Sequence, residues 1–365
     1  MTRVLLTGAA GFIGGHIRSA LEPNHDVVAI DAMLASAHGH SGEHGSGEYG
    51  SGDTSSGESG RDITRVDVRD HAALVELLAG VDVVCHQAAV VGAGVNSADA
   101  PAYASHNDFG TAVLLAAMAE TGCTRLVLAS SMVVYGEGKY RNAAGDLVMP
   151  GPRTRLADGI FENTDPATGD VLDWALVEED AELRPRSTYA ASKVAQENYA
   201  LAWSLATGGS VTALRYHNVY GPHMPRNTPY SGVAAMFRSS LEAGTAPQVY
   251  EDGNQARDFV HVSDIAAANT AAIDAALPGF TALNVSSGHP ITIGEVASTL
   301  SDACRGPAPE ITGQYRPGDV RHIVASPEKA RRTLGFVAAI SPEQGLREFA
   351  TAPLRDAEGT GAPRV

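Results

Sequence analysis

The pentapeptide YAASK at 189–193 sets a phenol and an ammonium four residues apart in a stretch patterned as a helix. Tyr189 and Lys193 therefore present their side chains on one face. A free phenol ionises at about 10, which makes it too weak a base near neutrality. Positive charge beside it favours the phenolate and brings Tyr189 into range as a general base, with Lys193 the nearest source. Tyr and Lys at this spacing occur on many helices. The pair gains weight from LASSMVVYG at 128–136, where Ser130 and Ser131 close an apolar run, and from a glycine motif near the start of the chain.

That motif, TGAAGFIG at 7–14, places Gly8, Gly11 and Gly14 directly after a strand pattern and, with Phe12 and Ile13, opens a helical one. Gly8 permits a tight turn, Gly11 lets the backbone approach a pyrophosphate, and Gly14 lets helix and strand pack closely. Asp31 ends the second strand pattern, DVVAID. An acidic side chain there accepts hydrogen bonds from both ribose hydroxyls and repels a 2′-phosphate, which favours NAD over NADP. Asp67, with Val68 beside it at the close of the third strand pattern, suits the adenine amino group. An oxidised nicotinamide ring would add its positive charge to that of Lys193, which can also hold the nicotinamide ribose hydroxyls.

The elements that must position these groups alternate along the chain. Strand patterns at 4–8, 26–31, 63–68, 81–87, 125–131 and 211–218 are separated by helical patterns at about 12–22, 70–79, 102–121 and 187–206. Near-continuous apolar strands between amphipathic helices predict a parallel sheet covered on both faces, the doubly wound α/β nucleotide-binding architecture. Residues 1–221 with 255–285 are expected to form this Rossmann-type domain, and 222–254 with 286–350 a smaller α/β substrate-binding lobe. Two segments interrupt the series. Residues 36–61 are Gly, Ser, Glu and His with almost nothing to bury, so they are expected to form a flexible loop, His38, His40 and His44 included. Residues 139–184 enter just before Tyr189 and read either as an insertion lying over the site or as surface elaboration. The tail, 353–365, is expected to fray.

Composition bounds the function. The 365 residues carry a formal charge of −16, which disfavours nucleic acid and anionic membranes as partners. No apolar run reaches the roughly 18 residues that span a bilayer, and no signal peptide is expected ahead of the first strand. Cys85, Cys123 and Cys304 are odd in number, far apart and outside metal-ligand spacings, so they are expected as free thiols in a reducing cytoplasm, with no metal site.

In this setting the chain resembles the extended short-chain dehydrogenases/reductases of the sugar-nucleotide epimerase and dehydratase group, over roughly 1–35 and 62–350. HQAA at 86–89 resembles the loop passing beneath the cofactor, which implicates Gln87, Ala88 and Ala89. NDFGT at 107–111 matches the helix motif whose Asn107 supports the active-site backbone around the cofactor. RYHNVYGP at 215–222 resembles the segment that lines the nicotinamide, through Tyr216, and sets Asn218 on the substrate diphosphate. RDFVHVSDIA at 257–266 and YRPGDVRH at 315–322 resemble the stretches whose arginines, here Arg257 and Arg316, grip that diphosphate. Guanidinium forks suit phosphate oxygens.

The resemblance makes Ser131 the hydroxyl beside the sugar alcohol being oxidised, relaying its proton to Tyr189, with Ser130 in support. Relatives that eliminate water place Asp and Glu at the next two positions, and a decarboxylating relative keeps a Glu. Here Met132 and Val133 stand there, and neither moves a proton. What remains is oxidation at C4 and re-reduction, and hydride returned to the opposite face is epimerisation. The resemblance thus implies an NAD-dependent nucleotide-sugar 4-epimerase, an isomerase acting as a homodimer. A one-way 4-keto reductase, a 4,6-dehydratase and a catalytically idle NAD sensor are the competing readings. Arg226 lies near where uronate epimerases place an arginine for the C6 carboxylate. UDP-glucose, UDP-glucuronate and dTDP-6-deoxyhexoses all stay open as substrates.

Overall fold

The computed structural model describes residues 1–34, 63–92, 94, 96–226 and 232–355. The proposed loop at 36–61 and its histidines lie outside the described residues, as does the tail from 356 onward. Seven strands form one sheet: β1 (Arg3–Thr7), β2 (Asp26–Asp31), β3 (Thr64–Arg65), β4 (Val83–His86), β5 (Arg125–Ser131), β9 (Ser210–Tyr216) and β10 (Phe280–Val285). Their order is β10-β9-β5-β4-β1-β2-β3, and every pairing is parallel. The chain order reverses between β1 and β4, which opens a crevice at their carboxyl ends.

Strand alternation divides the core between two faces. Val4, Leu6, Val127, Ala129 and Leu214 meet α1 (Phe12–Leu21) and α7 (Val262–Ala275) through Ile17, Leu21, Ile265 and Ile273. Leu5, Leu126, Leu128 and Ala213 meet α2 (His71–Leu77), α4 (Gly110–Thr121) and α5 (Thr188–Thr207) through Leu74, Leu114, Met118 and Trp203. The helix α3 (Ala100–Tyr103) passes through a π-helical stretch, Ala104–Phe109, into α4.

The smaller lobe gathers α6 (Val233–Glu242), α8 (Ile293–Cys304) and α10 (Pro342–Phe349) around Phe237, Leu241, Leu300 and Phe349. The structure departs from the expected boundary at α9 (Glu328–Leu334). Ala330, with Phe336 just beyond it, joins the core of the large sheet, because both side chains find their apolar cover on the α7 face. Residues 353–355 are not frayed: His223 donates its backbone N–H to the Pro353 carbonyl at 2.7 Å and Arg226 to that of Arg355 at 2.9 Å.

The insertion builds a three-stranded antiparallel sheet from β6 (Lys139–Arg141), β7 (Leu147–Val148) and β8 (Asp173–Ala175), ordered β7-β6-β8. It anchors to the lobe through ions. Arg153 donates to Glu251 at 2.8 Å, and the fully buried Arg321 meets Glu162, Glu251 and Asp252.

Candidate active site

The glycine turn after β1 shapes the floor of the crevice. Gly8 holds φ at +69°, and a Cβ there would come within 2.7 Å of the Ala88 nitrogen. A Cβ on Gly14 would stand 2.0 Å from the Gly8 carbonyl oxygen, so α1 can approach β1 only with glycine at that position. The Thr7 hydroxyl accepts the backbone N–H groups of Gln87 and Ala88 at 3.2 and 3.1 Å, which clamps the HQAA loop over the turn. Asp31 is buried and accepts the N–H groups of Ala10 and Met33 at 3.1 and 2.8 Å.

Above this floor lies a cleft of about 1060 Å³. Gly8, Gly11, Phe12, Ile13 and Gly14 line it from one side, and Gln87, Ala89 and Tyr216 from beneath. A side cavity of about 110 Å³ is bounded by Asp31, Asp67, Val68 and Ala88. Ser131, Tyr189, Lys193, Asn218, Arg257 and Arg316 complete the cleft, so residues scattered over most of the sequence converge on one space.

Tyr189 is half-buried at the start of α5 and lines the cleft together with Ser131. Burial pushes its phenol well above the ordinary value, and the nearby Ser131 hydroxyl only partly opposes this. The expected depression by Lys193 is not what the geometry shows. The ammonium donates to the Ala129 carbonyl at 3.0 Å and stands 6.0 Å from the Tyr189 ring centroid. Burial lowers Lys193 to about 8, against the opposing charges of Glu197 and Asp108.

Several expected ligands are committed elsewhere. The Ser130 hydroxyl donates to Glu197, which Arg215 also holds at 2.7 Å, so Ser130 braces β5 against α5. Asn107 commits its amide to the Val90 backbone, at 2.8 and 2.9 Å, and to Ser192 at 2.9 Å. It fixes the wall of the site from behind. Asp67 is gripped by Arg69, with 2.6 Å between Nη2 and Oδ2. That hydrogen bond leads the causes that keep the Asp67 carboxyl below its usual range, and competes with an adenine amino group for the same oxygens. Arg226 pairs with Glu242 at 3.0 Å and does not line the cleft. No described residue of 139–184 lines it either, although Arg153 of the insertion holds the cleft-lining Glu251 and Asp319 from behind. Arg257 does line it, but its guanidinium donates to the carbonyls of Ala256, Arg321 and Val320.

Other groups escaped the sequence reading. Arg355 reaches back from the tail to donate to the Ala10 carbonyl in the glycine turn at 2.9 Å. Tyr250 lines the cleft and carries the expected Arg316 over its ring, 5.2 Å from the centroid. His217 lines the cleft between Tyr216 and Asn218, and a histidine ending an apolar strand pattern was the available signal.

Residues 4–155 and 158–286 match the NAD dependent epimerase/dehydratase family. The chain belongs to that family. It is 31% identical over 357 residues to a dTDP-L-rhamnose 4-epimerase from Burkholderia thailandensis, covering 96% of this chain and 94% of the relative. Among solved structures it is similar to a UDP-glucose 4-epimerase from Thermus thermophilus in complex with NAD, with a TM-score of 0.71 and 29% identity over 96% of this chain and 98% of that one. A UDP-N-acetylglucosamine 4-epimerase from Methanobrevibacter ruminantium gives a TM-score of 0.73 and 27% identity over 96% and 97%.

As a member of this family the chain takes NAD as cofactor. The residues present fit it. At Gly11 a Cβ would meet only the Gly8 carbonyl oxygen, at 3.1 Å, so the face of the turn toward the cleft is open to a phosphate. The buried Asp31 stands at the end of β2, where the family's architecture places the ribose.

Proposed function

We propose that this protein is an NAD-dependent 4-epimerase of a nucleotide-diphosphate hexose. The observation that carries the reading is the convergence of Ser131, Tyr189 and Lys193 on one cleft, where Met132 also lines the wall. NAD, when bound, accepts the C4 hydride and returns it. Tyr189 takes the proton of the C4 hydroxyl as that carbon is oxidised and gives it back on re-reduction. Ser131 shares the proton and donates to the developing keto oxygen. Lys193, held by the Ala129 carbonyl, is placed to hold the nicotinamide ribose hydroxyls rather than to acidify the phenol. Met132 offers a thioether where elimination would need an acid or base, so the keto sugar can only be reduced again. Asn218, Arg257 and Arg316 bound the part of the cleft assigned to the diphosphate. Asp31 selects NAD over NADP. The three relatives described above, all 4-epimerases of nucleotide sugars, support the same reading.

Incubation with UDP-glucose, UDP-glucuronate and dTDP-rhamnose, followed by chromatography of the sugars and the absorbance of reduced nicotinamide, tests it. The expected result is a 4-epimer from at least one sugar with no net NADH. A 4-keto-6-deoxy product would instead make the protein a dehydratase, and steady consumption of added NADH a reductase. A homodimer is part of the proposal, supported by the exposed apolar side chains of Phe109, Tyr199 and Leu205 on the adjoining π-stretch and α5. Light scattering at the protomer mass would remove it.

A further inference from the structure

Buried polar groups are costly unless they are paired, so an unpaired one facing a ligand cleft points to the ligand. Among the described residues, His217 is the cleft-lining side chain left with two such atoms. It is 4% exposed, and neither Nδ1 nor Nε2 meets a hydrogen-bond partner in the protein. The position follows from the strand. The His217 backbone N–H continues the ladder to Val285 at 3.2 Å, so side-chain alternation persists one residue past β9. Arg215, two residues earlier, faces Glu197 on α5, and His217 emerges on that same face at the carboxyl edge of the sheet, where the cleft opens. Its neighbour Asn218 likewise has a buried Oδ1 with no protein partner.

Burial, and then the nearby charge of Arg257, hold His217 at about 3, so the imidazole is neutral near pH 7. A neutral imidazole offers one donor and one acceptor. A hydroxyl matches both, whereas a carboxylate accepts only and would set its charge against the ring's lone pair. Tyr189 and Ser131 already occupy C4 in the mechanism, which leaves another hexose hydroxyl as the match.

We propose that His217 is a specificity-determining residue that hydrogen-bonds a hydroxyl of the hexose and makes the cleft prefer an uncharged hexose to a hexuronate. This rests on the nucleotide-sugar reading of the cleft. Titration calorimetry on the NAD-loaded protein with UDP, dTDP, UDP-glucose, dTDP-glucose and UDP-glucuronate tests both halves. The wild type binds a glucose-bearing ligand more tightly than UDP-glucuronate. His217→Phe weakens the glucose-bearing ligands about tenfold, the loss of one hydrogen bond, and leaves the bare diphosphates unchanged. His217→Gln, which keeps a donor and an acceptor, recovers most of that loss. Unchanged binding in His217→Phe, an equal loss for bare and sugar-bearing ligands, or a wild-type preference for UDP-glucuronate overturns the proposal. If the wild type binds none of the five, the reading beneath it fails instead.

Discussion

Arg226 and Glu242 pair across 3.0 Å, from the segment that opens the smaller lobe to the end of α6, away from the cleft. A guanidinium so engaged is not offered to a C6 carboxylate. A partly exposed pair of this kind is worth about 0–1 kcal/mol. Arg226→Ala is therefore expected to change kcat/KM by no more than about fivefold, and equally for UDP-glucose, UDP-glucuronate and dTDP-rhamnose. A loss confined to the uronate would return Arg226 to the sugar site.

Tyr189→Phe removes one hydroxyl, and with it the proton acceptor, while the ring keeps its packing against Tyr103 at 5.7 Å between centroids. Binding of NAD and of the nucleotide sugar should persist. Turnover should fall by about 10²–10⁴-fold, the usual worth of general acid–base assistance. Calorimetry beside a turnover assay separates the two effects, and near wild-type turnover would remove Tyr189 as the base.

Local pattern made the sheet and the catalytic pair legible. The glycine turn, the alternation of strands and helices, and the four-residue spacing of Tyr189 and Lys193 are short-range signals that tertiary packing did not override. The partners of side chains were not legible in the same way. Ser130 reads as a site hydroxyl until its contact with Glu197, 67 residues away, is seen. Asp67 reads as an adenine ligand until Arg69 closes on it. The phenol of Tyr189 reads as acidified because burial, which acts in the opposite direction, has no sequence signature. Arg355 enters the site through an isolated backbone bridge to Pro225, a pairing that no pattern in a Pro- and Gly-rich tail announces.

Gly94 links the wall after β4 to the catalytic helix. Its φ is +64°, and a Cβ there would lie 2.6 Å from the Tyr189 nitrogen and 2.8 Å from the Tyr189 Cβ. Gly94 also accepts, through its carbonyl, the Thr188 backbone N–H at 3.2 Å and the Thr188 hydroxyl at 3.0 Å. Gly94→Ala is thus expected to push the first turn of α5 aside and strain the backbone as well, at a cost of about 1–3 kcal/mol of stability. Thermal melting should show that loss together with a fall in kcat larger than the change in NAD affinity. An alanine variant with wild-type kcat would show that the start of α5 yields without moving Tyr189.

Glu162 gives the insertion a pH-dependent hold on the lobe. Burial pushes its carboxyl up, but hydrogen bonds from His322 and Arg321 outweigh that and hold it at about 2. The His322 contact measures 2.9 Å and that of Arg321 Nε 3.1 Å. A glutamate in the unfolded chain ionises at about 4.3. The folded value is the lower one, so the ionised carboxylate stabilises the fold fully above about pH 4.3, and that stabilisation fades as pH falls toward 2. Glu162→Gln has no charge to lose. Its melting temperature should lie furthest below the wild type at pH 6–7, and the gap should narrow steadily through pH 4 and 3. Activity at pH 7 should change less than stability, because Glu162 does not line the cleft and reaches it through Arg321 and His322. A gap that stays constant from pH 7 to 3 would mean that the Glu162 carboxylate contributes shape alone to the join between insertion and lobe.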